Sequence, residues 1–167
     1  MKSLEKITFD AKRAKRELLD LGSLLAARSA LDERREIKPV FRKSPQLAAF
    51  LGTYAPNVVP ADRLAYEFQI AGDFGADIVV GNHATNTYCM IELEDARRNS
   101  VFATSKSRST MYWSSRFEHG FSQLVDWFWK LDDIKKTVQF ANIFGHGHAR
   151  FHGLLIIGRL DGLEDND

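Results

Sequence analysis

The chain has 167 residues, of which 44% are hydrophobic and 27% charged, with a formal net charge of +1. That size and balance fit one globular domain with an ordinary core and exclude disordered and fibrous classes. No apolar run approaches the roughly 20 residues that span a bilayer, and the start, MKSLEKITFD, lacks the apolar centre of a secretion signal, so no membrane association and a cytoplasmic setting are expected.

The net charge conceals an asymmetry. Residues 1–45 hold 12 Lys and Arg against 7 Asp and Glu, and the remainder holds 11 against 15. Arg97, Arg98, Lys106, Arg108 and Arg116 fall in a stretch that contains no acid. Such a stretch reads either as a solvated loop or as one that contacts phosphates. Cys89 is the only cysteine, which excludes an internal disulfide and a cysteine-rich zinc site, so any metal must be held by oxygen or imidazole.

In chain order, the first half reads as helical. Ala14, Leu18, Leu21 and Leu25 recur at helical spacing after a possible cap at Asp10. A second helix is expected after Ser29, with Asp32 three residues on in a capping arrangement. SPQLAAFLG predicts a third, with Ser44 as cap, Pro45 in the first turn and Gly52 just past the end. TYAPNVVPAD then reads as a loop, and from residue 63 the pattern changes to short β-type runs: RLAYEFQIAG, ADIVVGN and TYCMIELED, expected to form an antiparallel meander. After the basic stretch, Phe117, Phe121, Leu124, Phe128 and Leu131 predict a helix whose apolar face covers the sheet. FHGLLIIGRL closes the order as a buried strand.

TYCMIELEDARRNS contains the most informative residues. Alternation along a strand puts Glu92 and Glu94 on one face and Ile91 and Leu93 on the other. The ordinary reading is a strand with one wet face. The other is a site: two stacked carboxylates repel unless a cation lies between them, and antiparallel pairing with DIVVG would bring Asp77 beside Glu92. Three carboxylates at a sheet edge suit a hard divalent ion such as Mg2+, with Mn2+ as the alternative, placed to polarise a phosphate.

Together, GADIVVG, YCMIELEDA, SSRFEHGFSQLVDWFWKLDD and GLLIIGR resemble the core of the Shedu anti-phage nuclease domain, of the PD-(D/E)XK nuclease superfamily, over roughly residues 60–160. The resemblance implies an α/β (α+β) fold: a small mixed β-sheet flanked by helices in a restriction-endonuclease-like core at 59–162. A helical region at 1–58 precedes that core and an acidic tail at 163–167 follows it. It further implies Asp77 and Glu92 as metal ligands, Gln123 as a residue orienting water or phosphate, DNA as substrate, and homo-oligomers under an unidentified sensor partner. Glu94 departs from the pattern, standing where most superfamily members have a lysine. It is then either a further ligand or a general base, and a catalytically silent DNA-binding or oligomerisation domain stands as the second reading. The early stop at LEDND is expected to reflect either a compact version or a truncation.

Four further features leave two readings each. Glu67 is an additional acid or a surface residue. His119 shares a helix face with Gln123 and is placed either to contact the scissile phosphate or to pack near the helix start. Trp113, beside the basic stretch, is a base-stacking candidate, whereas Trp127 and Trp129 are expected at the helix surface or a subunit contact. His146, His148 and His152 have zinc-like spacing in a glycine-flanked loop.

Overall fold

The computed structural model describes residues 3–70, 72, 74–104, 110–145 and 147–163. After a short strand β1 (Glu5–Lys6), the Asp10 carboxylate accepts from the N–H groups of Lys12 and Arg13 and opens helix α1 (Ala11–Ala27), satisfying donors that the first turn leaves orphaned. Two polar side chains tie this region to helix α3 (Pro45–Phe50). Glu17 accepts from Arg13 Nε at 2.8 Å and from the Leu47 N–H at 2.7 Å, while Gln46 accepts from the Asp10 N–H at 2.7 Å and donates to the Thr8 carbonyl at 3.1 Å.

The second helical element starts later than its sequence suggests. Asp32, not Ser29, is the cap, accepting from Arg34 and Arg35, and it opens a π-helical turn, Glu33–Ile37, that runs into α2 (Lys38–Lys43). The cause is non-local. Leu31 exchanges two backbone hydrogen bonds with Ala96, at 3.1 and 3.0 Å, which holds the chain extended until residue 32. α3 in turn passes into a 3-10 turn, Leu51–Tyr54, so Gly52 lies inside that turn rather than beyond the helix.

The expected meander is present as β2 (Arg63–Ile70), β3 (Phe74–Asn82) and β4 (Thr87–Leu93). β1 adds to one edge and β7 (Arg150–Ile156) pairs parallel to β4 on the other, giving a mixed sheet ordered β1-β2-β3-β4-β7. A parallel neighbour requires a long crossover. Here it consists of a ribbon of β5 (Phe102–Ala103) and β6 (Tyr112–Trp113), then helices α4 (Ser115–Ile134) and α5 (Val138–Phe144). The fold class is thus the expected one, a small mixed sheet flanked by helices.

Both sheet faces are covered. Cys89, Ile91 and Leu93 point into a core with Leu31, Phe41, Leu47 and Val58, so residues on either side of the 58/59 step share one cluster. Tyr88 and Met90 point the other way, against Trp127, Leu131, Phe140 and Phe144. α4 is rotated relative to its predicted face: Gly120, Trp127, Leu131 and Ile134 are buried, while Phe121 and Phe128 are exposed. Gly120 explains the rotation, because with no side chain it lets the helix close against Leu155. Trp127 is therefore a core residue and Trp129 alone of the pair is at the surface. Among the described residues, no helix is long and apolar enough to cross a membrane.

Candidate functional site

At the C-terminal end of β4 the two sides of the molecule meet. Ile78 pairs with Ile91, which carries Asp77 opposite Glu92, and an Asp77 carboxylate oxygen accepts from the Leu93 N–H at 3.0 Å. β4 ends at Leu93. Glu94 follows directly, its N–H donating to the Ile156 carbonyl at 2.9 Å, so it remains on the sheet's end, on the face covered by α4. Glu92 is 4% exposed and Glu94 2%, and among the described residues Glu92 Oε2 and Glu94 Oε1 are buried with no hydrogen-bond partner.

Two residues that the sequence patterns leave unmarked complete the cluster. The Leu31–Ala96 bridge lays residues 31–38 across the end of β4, and buried Asp95 accepts from the Glu33 N–H at 2.8 Å. This delivers Glu33 and Lys38. Lys38 Nζ lies 2.7 Å from Glu33 Oε1 and 2.7 Å from Asp77 Oδ1. On the opposite side Arg116, in the first turn of α4, reaches Glu94 at 3.3 Å and Glu33 and Asp95 at 3.4 Å.

The electrostatics follow from burial and crowding. Loss of water pushes the Glu92 carboxyl up to about 8, with Asp77, Glu94 and Glu33 adding to the rise and Lys38 opposing it. Burial also raises Asp77, against its bonds to Lys38 and Leu93, and Glu94, where Glu33 adds to the rise and Arg116 and His119 oppose it. Burial works to lower Lys38, but its bonds to Asp77 and Glu33 outweigh that and hold it above the usual lysine value. The cluster thus contains more acid than its cations neutralise, in a place poor in water.

The remaining candidates divide. His119 and Gln123 meet on the exposed face of α4, their side-chain nitrogens 2.9 Å apart. Glu67 is not part of the cluster: it is exposed on β2, paired with Arg42, and has a φ of +49°. Arg97 binds Asp95 at 3.0 Å and lies 3.8 Å from Asp32, while Arg98 is exposed in the following turn. Trp113 is stacked between Phe102 and Phe117, with centroids at 4.8 and 4.2 Å, so a phenyl ring already occupies each face of the indole. Lys106, Arg108 and His146 lie outside the described residues. His148 and His152 flank the start of β7, and His152 pairs with Cys89 far from the acids. The Cys89 thiol is buried and pushed up to about 12, which makes it inert.

An all-oxygen donor set with two orphaned carboxylate oxygens fits a hard divalent ion. As the side chains stand, an ammonium group holds Asp77 and Glu33 together, and among the described residues no three His, Cys, Asp or Glu side chains are gathered closely enough to bind a metal.

Helices on both faces of a mixed sheet, with buried acids at the end of β4 facing a helix N-terminus, define an α/β domain with a buried acidic cluster. The model of the family Shedu protein SduA, C-terminal, matches residues 30–167, and the chain belongs to that family. The match begins just before Leu31 and so includes every residue of the cluster. No curated protein and no solved structure matches the chain.

Proposed function

We propose that the chain is a divalent-metal-dependent deoxyribonuclease of the PD-(D/E)XK kind, hydrolysing DNA phosphodiester bonds in Shedu-type defence against phage, with self-association part of the same reading. The observation that carries it is the pair of orphaned, buried carboxylate oxygens on Glu92 and Glu94. Leaving such groups without a cation or a proton is costly. Asp77, Glu92 and Glu94 would hold Mg2+ or Mn2+, which when bound supplies a Lewis acid for a phosphate oxygen and for the attacking water.

The chain's own residues have separate tasks. Glu94 keeps one oxygen on Arg116 and has the other unengaged, so it can accept a proton as well as a ligand bond. His119, in contact with Gln123, would donate to a phosphate oxygen of the bound DNA. Arg116 and Arg97 serve the DNA backbone only by sharing guanidinium groups already engaged by acids. Arg98 joins them in the proposed DNA-contacting set, whereas Trp113, stacked with Phe102 and Phe117, is not available to stack on a base.

One observation favours a second reading, a catalytically silent DNA-binding or assembly domain. Lys38 spans Glu33 and Asp77 and neutralises part of the cluster without any metal. The test is incubation of the purified chain with duplex and single-stranded DNA in Mg2+, Mn2+ or chelator, beside Glu92→Gln. Metal-dependent cleavage that disappears in the variant supports the nuclease. Salt-dependent DNA binding with no cleavage in either metal supports the silent domain, and neither binding nor cleavage removes both.

A further inference from the structure

The geometry points to Lys38 as an internal counter-ion that keeps the carboxylate site closed and is displaced from Asp77 when a divalent ion enters. The inference rests on the metal site of the proposed nuclease. It concerns how that site is filled.

The oxygens of Asp77 are both committed. One accepts from the Leu93 N–H at 3.0 Å, and the other lies 2.7 Å from Lys38 Nζ, which is also 2.7 Å from Glu33. Glu92 Oε2 and Glu94 Oε1 are the uncommitted ones. A cation that settles between Glu92 and Glu94 therefore meets Asp77 through a carboxylate that Lys38 and the Leu93 N–H already engage. The two cations also repel each other at such separations, strongly where water is excluded.

The lysine is built to leave. Its side chain is 23% exposed, against 11% for Asp77 and 12% for Glu33, so the ammonium is the wettest member of the trio. Its four-carbon stem moves without disturbing the backbone. The Glu33 backbone is held by its N–H bond to buried Asp95. The moving part of the proposed device is therefore Lys38.

Calorimetric titration of Mn2+ into the wild-type chain, Lys38→Met and Lys38→Arg, at one pH and salt concentration, tests the proposal. Lys38→Met should bind Mn2+ about tenfold or more tightly than wild type, since a competing charge is gone. Lys38→Arg keeps the charge and should stay within a few-fold of wild type. Equal or weaker binding by Lys38→Met overturns the displacement while leaving the metal site standing. Absence of Mn2+ binding in all three overturns the metal reading itself.

Thermal unfolding gives a readout independent of affinity. If the ammonium and the ion substitute for one another, Lys38→Met should unfold at a lower temperature than wild type in chelator and recover in Mn2+. A loss that Mn2+ does not restore marks Lys38 as a structural clamp and overturns the proposal.

Discussion

Gly120 of α4 lies directly against Glu94: a Cβ at position 120 would stand 3.3 Å from Glu94 Cγ and 2.6 Å from Leu155 Cδ1. The missing atom leaves room for the Leu155 methyl and lets the helix sit close to Glu94. Gly120→Ala should therefore destabilise the protein by about 1–3 kcal/mol through overpacking, although alanine elsewhere in a helix interior gains up to about 1 kcal/mol over glycine. Urea unfolding reads the sign directly. An unchanged or higher midpoint would show that the helix is not seated on this contact.

Glu92 gives the stability a distinctive pH dependence. Its carboxyl is raised to about 8 in the folded chain from 4.5 when free, because burial and neighbouring acids disfavour the charged form. Between those values the folded state binds the proton more tightly than the unfolded state does, so stability falls as pH rises through that window. Glu92→Gln carries no charge to bury. In chelator it should unfold at the same denaturant concentration as wild type near pH 4 and at a higher one near pH 8, by an amount on the order of a few kcal/mol. Parallel curves at both pH values would mean that the carboxylate stays charged and solvated.

Arg116 is the cation that α4 contributes. It reaches Glu33, Glu94 and Asp95, of which Glu94 and Asp95 have side chains only 1% and 3% exposed, whereas its own is 47% exposed. Removing one partner of a buried pair strands the other, but solvent at the guanidinium screens part of the effect. Arg116→Met should cost about 1–2 kcal/mol at pH 8. The loss should shrink towards pH 4, where the raised carboxyl of Glu94 takes up a proton. A loss independent of pH would indicate packing of the arginine stem instead of charge.

The legible parts of this molecule are those whose signals are local. Asp10 before a run of helical spacing marked α1, alternation marked β2, β3 and β4, and the Asp77–Glu92 juxtaposition followed from pairing two adjacent strands. Helix α5 also carried local signals, Thr137 as cap and Gly145 as the left-handed residue at its end, but its seven residues are too few for periodicity to show. α4 was found and misrotated, because Phe117, Phe121 and Phe128 offered as good an apolar stripe as Trp127 and Leu131. The choice between them rests on packing against β7 and the core, including the close approach of Gly120 to Leu155, 35 positions away in the chain. Glu33 and Lys38 were not legible as site residues at all. The hydrogen bond that places Glu33 joins residues 62 apart, and nothing in the spacing around either residue announces such a partner.

The bridge between Leu31 and Ala96 limits how the molecule can be divided. A fragment cut at residue 59, where composition changes from helical to strand-like, would retain Asp77, Glu92 and Glu94 but discard Glu33 and Lys38. It would also bare the sheet face that Leu31, Phe41, Leu47 and Val58 now cover. The smallest transplantable unit for the acidic site must therefore start upstream of Leu31. Grafting the strands alone onto another scaffold would carry the negative charges without the ammonium that lets them coexist.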